Sequence, residues 1–399
     1  MSFEMKLIEI LFWSFAAIVF YTYIGYGIVL FFLVKVKELF NSKHVFIRQV
    51  ESELPDISLL IPAYNEESVV AEKMMNSLNL NYPPGKLQII WITDGTNDST
   101  NDILKKEYPQ VKVLYDSKRA GKTAAINRAI PYIDSPLVVF TDANTMLNRD
   151  AILEIAYAFE NPEVGCVAGE KRIMVNEKDG AASGGEGIYW KYESLLKKLD
   201  SQLYTTVGAA GELFAIRTHL FETMEVDTLL DDFMLSMRIV LKGYKIEYCS
   251  NAYAVEGGSA NISEEKKRKV RISAGGIQSI IRLRELLNVF KYPLLSFQYI
   301  SHRVLRWSVT PVCLFILLPL NGALVLMEGG MFYSLTMFLQ FLFYSAALLG
   351  KYYSDRQIKN KYFYVPYYFL FMNYNVIQGF RYYLKKSKGD GTWEKAKRA

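Results

Sequence analysis

Cysteine is scarce in this sequence. Three residues, Cys166, Cys249 and Cys313, lie far apart among 399, with no CxxC or CxxH spacing. Neither a disulfide framework nor a zinc site is indicated. Excess charge of one sign is also lacking. The net value is +5, and the cations gather beside apolar segments, so an anionic membrane surface accounts for them better than nucleic acid does. There is no internal repeat, no low-complexity tract and no complete glycine-rich phosphate loop. Apolar residues, by contrast, are plentiful. They make up 51% of the chain, yet 22% is charged, too much for a bundle of membrane helices alone. At this length one core of about 200–250 residues leaves room for further segments.

The apolar excess sits at the two ends. Leu7 to Val34 carries one charge, Glu9, and exceeds the roughly 20 residues that cross a bilayer. A cleaved signal peptide would have an apolar part of about 7–15 residues and a small-residue cleavage site. This run is longer and ends in Lys35, Lys37, Lys43 and Arg48, which keep the following domain in the cytosol. Ser308 to Met327 and Met331 to Gly350 read as two spans joined by Glu328-Gly329-Gly330. Their flanks are basic, with Arg303 and Arg306 before and Lys351, Arg356, Lys359 and Lys361 after. Tyr362 to Leu384 is aromatic but broken by Pro366, Asn373, Asn375, Gln378 and Arg381. The basic tail after it favours an interfacial or re-entrant helix, and a third span stays open. The expected organisation is an N-terminal membrane helix (1–40), a cytosolic α/β domain (41–270), amphipathic interfacial helices (271–307), two membrane helices (308–352) and a last membrane or interfacial helix with a basic tail (353–399).

In the middle, short apolar runs alternate with helical patterns: strands at Ile57–Pro62, Leu87–Thr93, Val111–Tyr115 and Pro136–Thr141. Polar residues follow the strands' C-terminal ends, where an open α/β sheet binds ligands. Asp94 before Gly95 suits a carboxylate that accepts hydrogen bonds from a base or ribose, whereas Asp98 and Ser99 read first as a helix cap. Lys122, after Gly121, can neutralise a phosphate. Asp142 and Asn144 are short oxygen-bearing side chains on one side of an extended segment, able with a diphosphate to hold a hard cation such as Mg2+ or Mn2+. Gly208 to Glu212 offers a floor of small residues to a flat ligand. Asp231 and Asp232 open a helical run to Lys242, either as caps or as a pair in which one carboxyl is raised towards the range of a general base. Spacing does not choose between these. Tyr189 to Leu203, with Lys191, Lys197 and Lys198 against apolar residues, suits an interfacial helix or one packed on the sheet.

Taken in order, PAYNE (Pro62–Glu66), DGTND (Asp94–Asp98), GKTAAIN (Gly121–Asn127), DAN (Asp142–Asn144), GAAGELFAIR (Gly208–Arg217) and DDF (Asp231–Phe233) resemble the motifs of family 2 glycosyltransferases. The likeness is strongest to membrane-integrated bacterial polysaccharide synthases, the group of poly-N-acetylglucosamine, hyaluronan and cellulose synthases. The resemblance implies a GT-A fold, an α/β Rossmann-like domain with a mixed, mostly parallel sheet, flanked by membrane and interfacial helices. It implies that Tyr64, Glu66 and Asp94 hold the nucleoside and that Lys122 and Asn127 lie near the nucleotide. Gly208 and Gly211 would line the substrate site. Asp142, with Asn144, would hold Mg2+ or Mn2+ and the diphosphate. Asp232, beside Asp231, would deprotonate an acceptor hydroxyl that displaces the nucleoside diphosphate with inversion. The donor would be a nucleotide sugar, UDP-linked by preference, and the acceptor a growing surface polysaccharide or lipid-linked glycan at the cytosolic face of the plasma membrane. The alternatives are single-sugar transfer to a polyprenyl phosphate or lipid, and an inactive scaffold of an export complex.

Two departures matter. Asn144 replaces the family's second metal-site Asp, which removes one negative charge. The Gln-x-x-Arg-Trp motif of processive members is here Arg268-Lys269-Val270-Arg271-Ile272, which keeps Arg271 as a diphosphate clamp but not the Gln or the acceptor-stacking Trp. Polymer translocation by so few spans would call for a homo-oligomer or an export partner.

Overall fold

The computed structural model describes residues 3–40, 53–174, 181–258, 262–358 and 360–385, with backbone alone at 181–189 and 361. The linker cations Lys43 and Arg48, Lys359 and the basic tail from 386 on lie outside these residues. The chain opens with one continuous helix, α1 (Phe3–Phe20) and α2 (Tyr26–Phe40), joined through a π turn at Tyr21–Gly25. Thr22 in that turn donates to Ile18 O at 2.8 Å and meets the Thr310 hydroxyl at 2.9 Å. These bonds satisfy the polar groups that a wide turn frees.

Strand and helix then alternate: β1 (Ile57–Ala63), α3 (Val70–Leu78), β2 (Leu87–Asp94), α4 (Thr100–Glu107), β3 (Lys112–Asp116), α5 (Lys122–Ala129) and β4 (Leu137–Phe140). β1 pairs in parallel with β2 and β4, and β2 with β3. Then follow β5 (Met146–Leu147), α6 (Ala151–Ala158), β6 (Val164–Met174), α7 (Ala181–Leu203), β7 (Phe214–Arg217), α8 (Asp231–Leu241) and β8 (Lys245–Gly257). The eight-stranded sheet has the order β3-β2-β1-β4-β7-β6-β8-β5. β7 runs antiparallel to β4 and β6, and β6 pairs in parallel with β8. The sheet is therefore mixed, as expected.

Period-two alternation divides the core. Leu60, Ile90, Ile92, Val138 and Phe140 face one helix layer, and Leu59, Ile61, Trp91 and Val139 face the other. The Phe140 and Phe214 rings stack across β4 and β7 at 4.5 Å, adding about 0.5–1.5 kcal/mol beyond their burial.

After the sheet come α9 (Ile262–Arg282), α10 (Pro293–Tyr299), α11 (Leu305–Trp307), α12 (Val309–Leu326), α13 (Met331–Asp355) and α14 (Lys361–Lys385). α9 runs unbroken across residue 270. Between α9 and α11 the chain is two-faced: Leu283, Leu286, Leu295 and Tyr299 join the sheet's core, while Phe290 is 96% exposed beside exposed Leu287, Val289 and Leu294.

Among the described residues three helices are long and apolar enough to cross a membrane: Phe3–Phe40, Val309–Leu326 and Met331–Asp355. Glu9, the one charge between Leu7 and Val34, accepts from the Tyr333 hydroxyl at 2.6 Å, and Trp13 Nε1 donates to that hydroxyl at 3.2 Å. α14 is not among the three. It packs between α13 and α9, with Gly350 against the Phe363 backbone, Gly379 against Ser273 and the Tyr368 hydroxyl donating to Glu265 at 3.0 Å.

Candidate active site

The ends of β1, β2 and β4 bring the polar motifs to one edge. Asp94 is buried, and its Oδ2 accepts from Ala120 N at 2.9 Å and Gly121 N at 2.7 Å. Arg128 approaches its other oxygen at 3.4 Å. Asp94 thus fixes the loop that presents Lys122, and Gly95 at φ 65° leaves space for the Arg119 backbone. The Arg119 guanidinium lies 3.8 Å above the Tyr64 ring, a cation–π plate at the rim. Glu66 N bonds Thr100 Oγ1 at 2.9 Å. Asp98 accepts from Thr100 N at 3.0 Å and Glu67 N at 3.1 Å, tying the 66–68 loop to the start of α4; the N-cap position itself is Ser99, without a side-chain cap, so the cap expected of Asp98 and Ser99 is not formed. Asn127 is turned away, with both amide ends holding the Met224 backbone.

Below the Asp142-Ala143-Asn144 turn lies a residue the sequence did not single out. Lys73 is fully buried and donates to Thr141 Oγ1 at 3.0 Å and Thr145 O at 2.6 Å, bracketing the turn. Its position was legible, because α3 puts Lys73 on the same face as buried Val70, Met74 and Ser77. Asn144 Nδ2 donates to Glu256 at 3.4 Å. Glu256 in turn meets Lys171 at 2.5 Å, and Lys171 also pairs with Glu212.

Asp142 borders a cavity of about 480 Å³ that also takes in Lys122, Asp231, Asp232 and Gly211. Lys122 Nζ lies 2.7 Å from Asp142 and 3.7 Å from Asp231. Burial opposes its charge but is outweighed by Asp142, Asp231 and Asp232, so its pKa is raised. Leu230 takes the N-cap position of α8 without a side-chain cap, so neither aspartate is the cap. Among the described residues Asp232 Oδ1 accepts only the Phe233 N–H, at 2.8 Å. Burial first, then the charge of Asp231, push the Asp232 carboxyl up to about 7, with Lys122 pulling the other way. That is the range of a general base working near neutrality.

The two glycines differ in role. A Cβ on Gly211 would stand 3.3 Å from both Asp232 Oδ2 and Lys122 Nζ, so this glycine is the floor between them. Gly208, at φ 83°, makes room for the Phe233 ring, which a Cβ would meet at 2.2 Å, and it is absent from the cavity wall.

The opposite wall comes from α7, α9, α11 and α14. Arg271 lines it, and so does Trp307, whose ring covers Gly276 and meets Phe233 edge-on at 5.1 Å. An aromatic side chain thus reaches the cavity from α11, although the position after Arg271 is Ile272. α7 turns Glu193, Leu196, Lys197, Asp200 and Leu203 inward. Lys197 therefore belongs to the helix's buried face and not to a membrane-facing one. Glu193 forms an ion pair with Arg303 at 2.6 Å and accepts from Arg306 at 3.2 Å. Asp200 faces His302 Nδ1 at 2.5 Å and receives the Tyr26 hydroxyl from the membrane helix. Tyr23, Val365, Phe369, Met372 and Val376 complete the wall, with Tyr23 and Phe369 edge to face at 4.8 Å.

Residues 55–275 match the family described as glycosyltransferase like family 2. The β-monoglucosyldiacylglycerol synthase of Nostoc sp. is 28% identical over 264 residues, 62% of this chain and 55% of that protein. The poly-β-1,6-N-acetyl-D-glucosamine synthase of Staphylococcus epidermidis is 26% identical over 268 residues, 64% of this chain and 62% of that one. The chain thus spans little more than half the length of these curated relatives. A mannosyltransferase of Pyrobaculum calidifontis, solved in complex with GDP-Man and Mn2+, superposes with a TM-score of 0.69 at 18% identity over 96% of this chain and 100% of that one, which places the sheet and its helices in the GT-A fold. Because the family match takes in every motif from PAYNE to DDF and more than half of the sequence, the chain belongs to glycosyltransferase family 2.

Proposed function

We propose that this chain transfers one sugar, with inversion, from a nucleotide-activated donor at the strand ends to a hydroxyl of a lipid-borne acceptor. The single observation that carries this reading is the shared cavity: Lys122, Asp142 and Asp232 on one side, and Tyr23, Phe369, Met372 and Val376 of the membrane-associated helices on the other. An acceptor that reaches Asp232 past those side chains needs an apolar part. Relatives named for a glucosyldiacylglycerol and for a poly-N-acetylglucosamine support an acceptor handled at a membrane.

Asp232 takes the acceptor proton, and the oxygen attacks the anomeric carbon from the face opposite the leaving diphosphate. Lys122 stabilises the charge that develops on that leaving group. Asp94, by fixing the 119–122 loop, positions Lys122, and the Tyr64–Arg119 plate offers a stacking surface to a base. Among the described residues no three His, Cys, Asp or Glu side chains gather to hold a metal by themselves. Asp142 and Asn144 nevertheless suit a hard cation whose shell is completed by diphosphate oxygens, and three carboxylates face one ammonium there. Mg2+ or Mn2+ held by them would neutralise leaving-group charge. Three membrane-length helices and their basic flanks support a multi-pass plasma-membrane protein with the sheet domain in the cytosol.

The test is nucleoside diphosphate release by the full chain in detergent across a panel of nucleotide sugars, UDP-linked first, with Mn2+, Mg2+ or chelator. Metal-dependent release from one donor, with an organic-soluble product bearing one sugar, is expected. No release and no donor binding would overturn the transferase reading, and an aqueous polymer would overturn the lipid acceptor.

A further inference from the structure

We propose that Lys197 is an anion-binding residue on the acceptor side of the cavity, and that the acceptor lipid carries a phosphate beside the hydroxyl that receives the sugar. This rests on the transferase reading and adds the acceptor's charge to it.

Lys197 is 4% exposed and lines the cavity. Among the described residues its ammonium makes no hydrogen bond and no ion pair within 4.0 Å, although its neighbours on the same wall, Arg303 and Arg306, both pair with Glu193. The side chain is nearly buried while its ammonium opens to the cavity without a counter-charge in contact, and an anion brought by a ligand would supply one. Burial, and then the adjacent Arg303, lower its pKa, the signature of a cation short of counter-charge.

The wall as a whole points the same way. Lys197, Arg303 and Arg306 face the cavity against Glu193. Asp200, behind them, is engaged by Tyr26, Gln298 and His302. Arg271 on α9 adds a further cation to the lining, again with no ion pair within 4.0 Å among the described residues. Lys197 lines the same cavity as Asp232, and the charges that act most on it are Arg303, Glu193, Glu212 and Asp232. α7 also carries Tyr192, whose hydroxyl donates to Tyr23 O of the membrane helix at 2.7 Å. A phosphate on Lys197 would share the cavity with the base and with Phe369 and Met372 of α14, along which the tail of the lipid would run. The other source of phosphate oxyanion is the donor diphosphate, which Lys122 and the cation site already serve.

The experiment titrates full-length protein in detergent with short-chain phosphatidic acid, with short-chain diacylglycerol and with UDP plus Mn2+, comparing wild type with Lys197→Met and Lys197→Arg. Wild type should bind phosphatidic acid at least tenfold more tightly than diacylglycerol. Lys197→Met should lose that preference, Lys197→Arg should regain most of it, and UDP affinity should stay within twofold. Lys197→Met should also melt at a higher temperature than wild type, because it removes an unpaired buried charge; a merely structural lysine would give the opposite shift. UDP binding weakened as much as lipid binding would assign Lys197 to the donor and overturn the proposal. Equal binding of the two lipids by wild type would overturn it too. Sugar-donor cleavage, followed in parallel, reports separately on the transferase reading, so that reading can fail while the lipid titration still decides the role of Lys197.

Discussion

Lys122 Nζ lies 2.7 Å from Asp142 Oδ1, joining the start of α5 to the turn after β4 across the sheet edge. A cation is thereby held where a leaving diphosphate would accumulate charge, and two further carboxylates keep it protonated. Lys122→Met removes this charge without much loss of volume. Donor turnover should fall about 10²- to 10³-fold, the cost of removing one preorganised donor to a developing anion. Single-turnover kinetics at saturating nucleotide sugar check this, and an unchanged rate would remove Lys122 from the chemistry.

Asp232 titrates near pH 7 and must be ionised to act as a base. The acid limb of kcat/KM should therefore rise through about pH 7, and Asp232→Asn should abolish the limb and lower kcat about 10²- to 10⁴-fold with donor affinity retained. Stability carries the opposite sign. The folded pKa exceeds the unfolded one, so the contribution of Asp232 is fully present below about pH 4 and is lost as pH rises to about 7. In melting experiments Asp232→Asn should gain on wild type between those values and keep its lead above them.

The motif strands were readable because β1, β2 and β4 are short apolar runs between turn residues, and the chemistry follows their ends. β6 and β8 were not. They carry Lys171 and Glu256 inside, and a charge in a strand looks like solvent exposure until its partner, far off in sequence, is known. Lys197 was misleading for a related reason. Three lysines on one amphipathic stretch suggest a polar face, but the buried face of α7 holds Glu193, Lys197 and Asp200 together, matched by Arg303, Arg306 and His302 from more than a hundred positions away. The motif order also treated Gly208 and Gly211 alike, although only the local backbone distinguishes a packing glycine from a site glycine.

That distinction is measurable. Gly211→Ala places a methyl 3.3 Å from Asp232 and Lys122 at an unstrained backbone position, so it should leave the melting temperature nearly unchanged and cut turnover about 10- to 100-fold by displacing the pair. Gly208→Ala forces φ 83° on a residue with a Cβ and drives it into Phe233. It should cost about 2–4 kcal/mol of stability, with activity lost in proportion to the protein unfolded. If Gly208→Ala stayed folded and inactive, Gly208 would belong to the site after all.

Lys73 shows how a buried lysine just outside the cavity lining can still govern it. Its two bonds hold Thr141 and Thr145 on either side of Asp142, and burial lowers its pKa to about 7, with Asp142 acting against that shift. Lys73→Met leaves the Thr145 carbonyl without this donor, which should destabilise the protein by about 1–3 kcal/mol. It should also raise the metal concentration needed for half-maximal activity, because Asp142 loses its support. The pH dependence separates this from simple loss of packing. The folded pKa lies below the ordinary 10.5, so between about pH 7 and pH 10 the unfolded chain binds a proton that the folded one does not, and stability rises with pH. The gap between wild type and Lys73→Met in chemical denaturation should therefore widen across that range; a gap independent of pH would mean that Lys73 stays charged in the folded protein and that its turn is held by an ion rather than by a neutral amine.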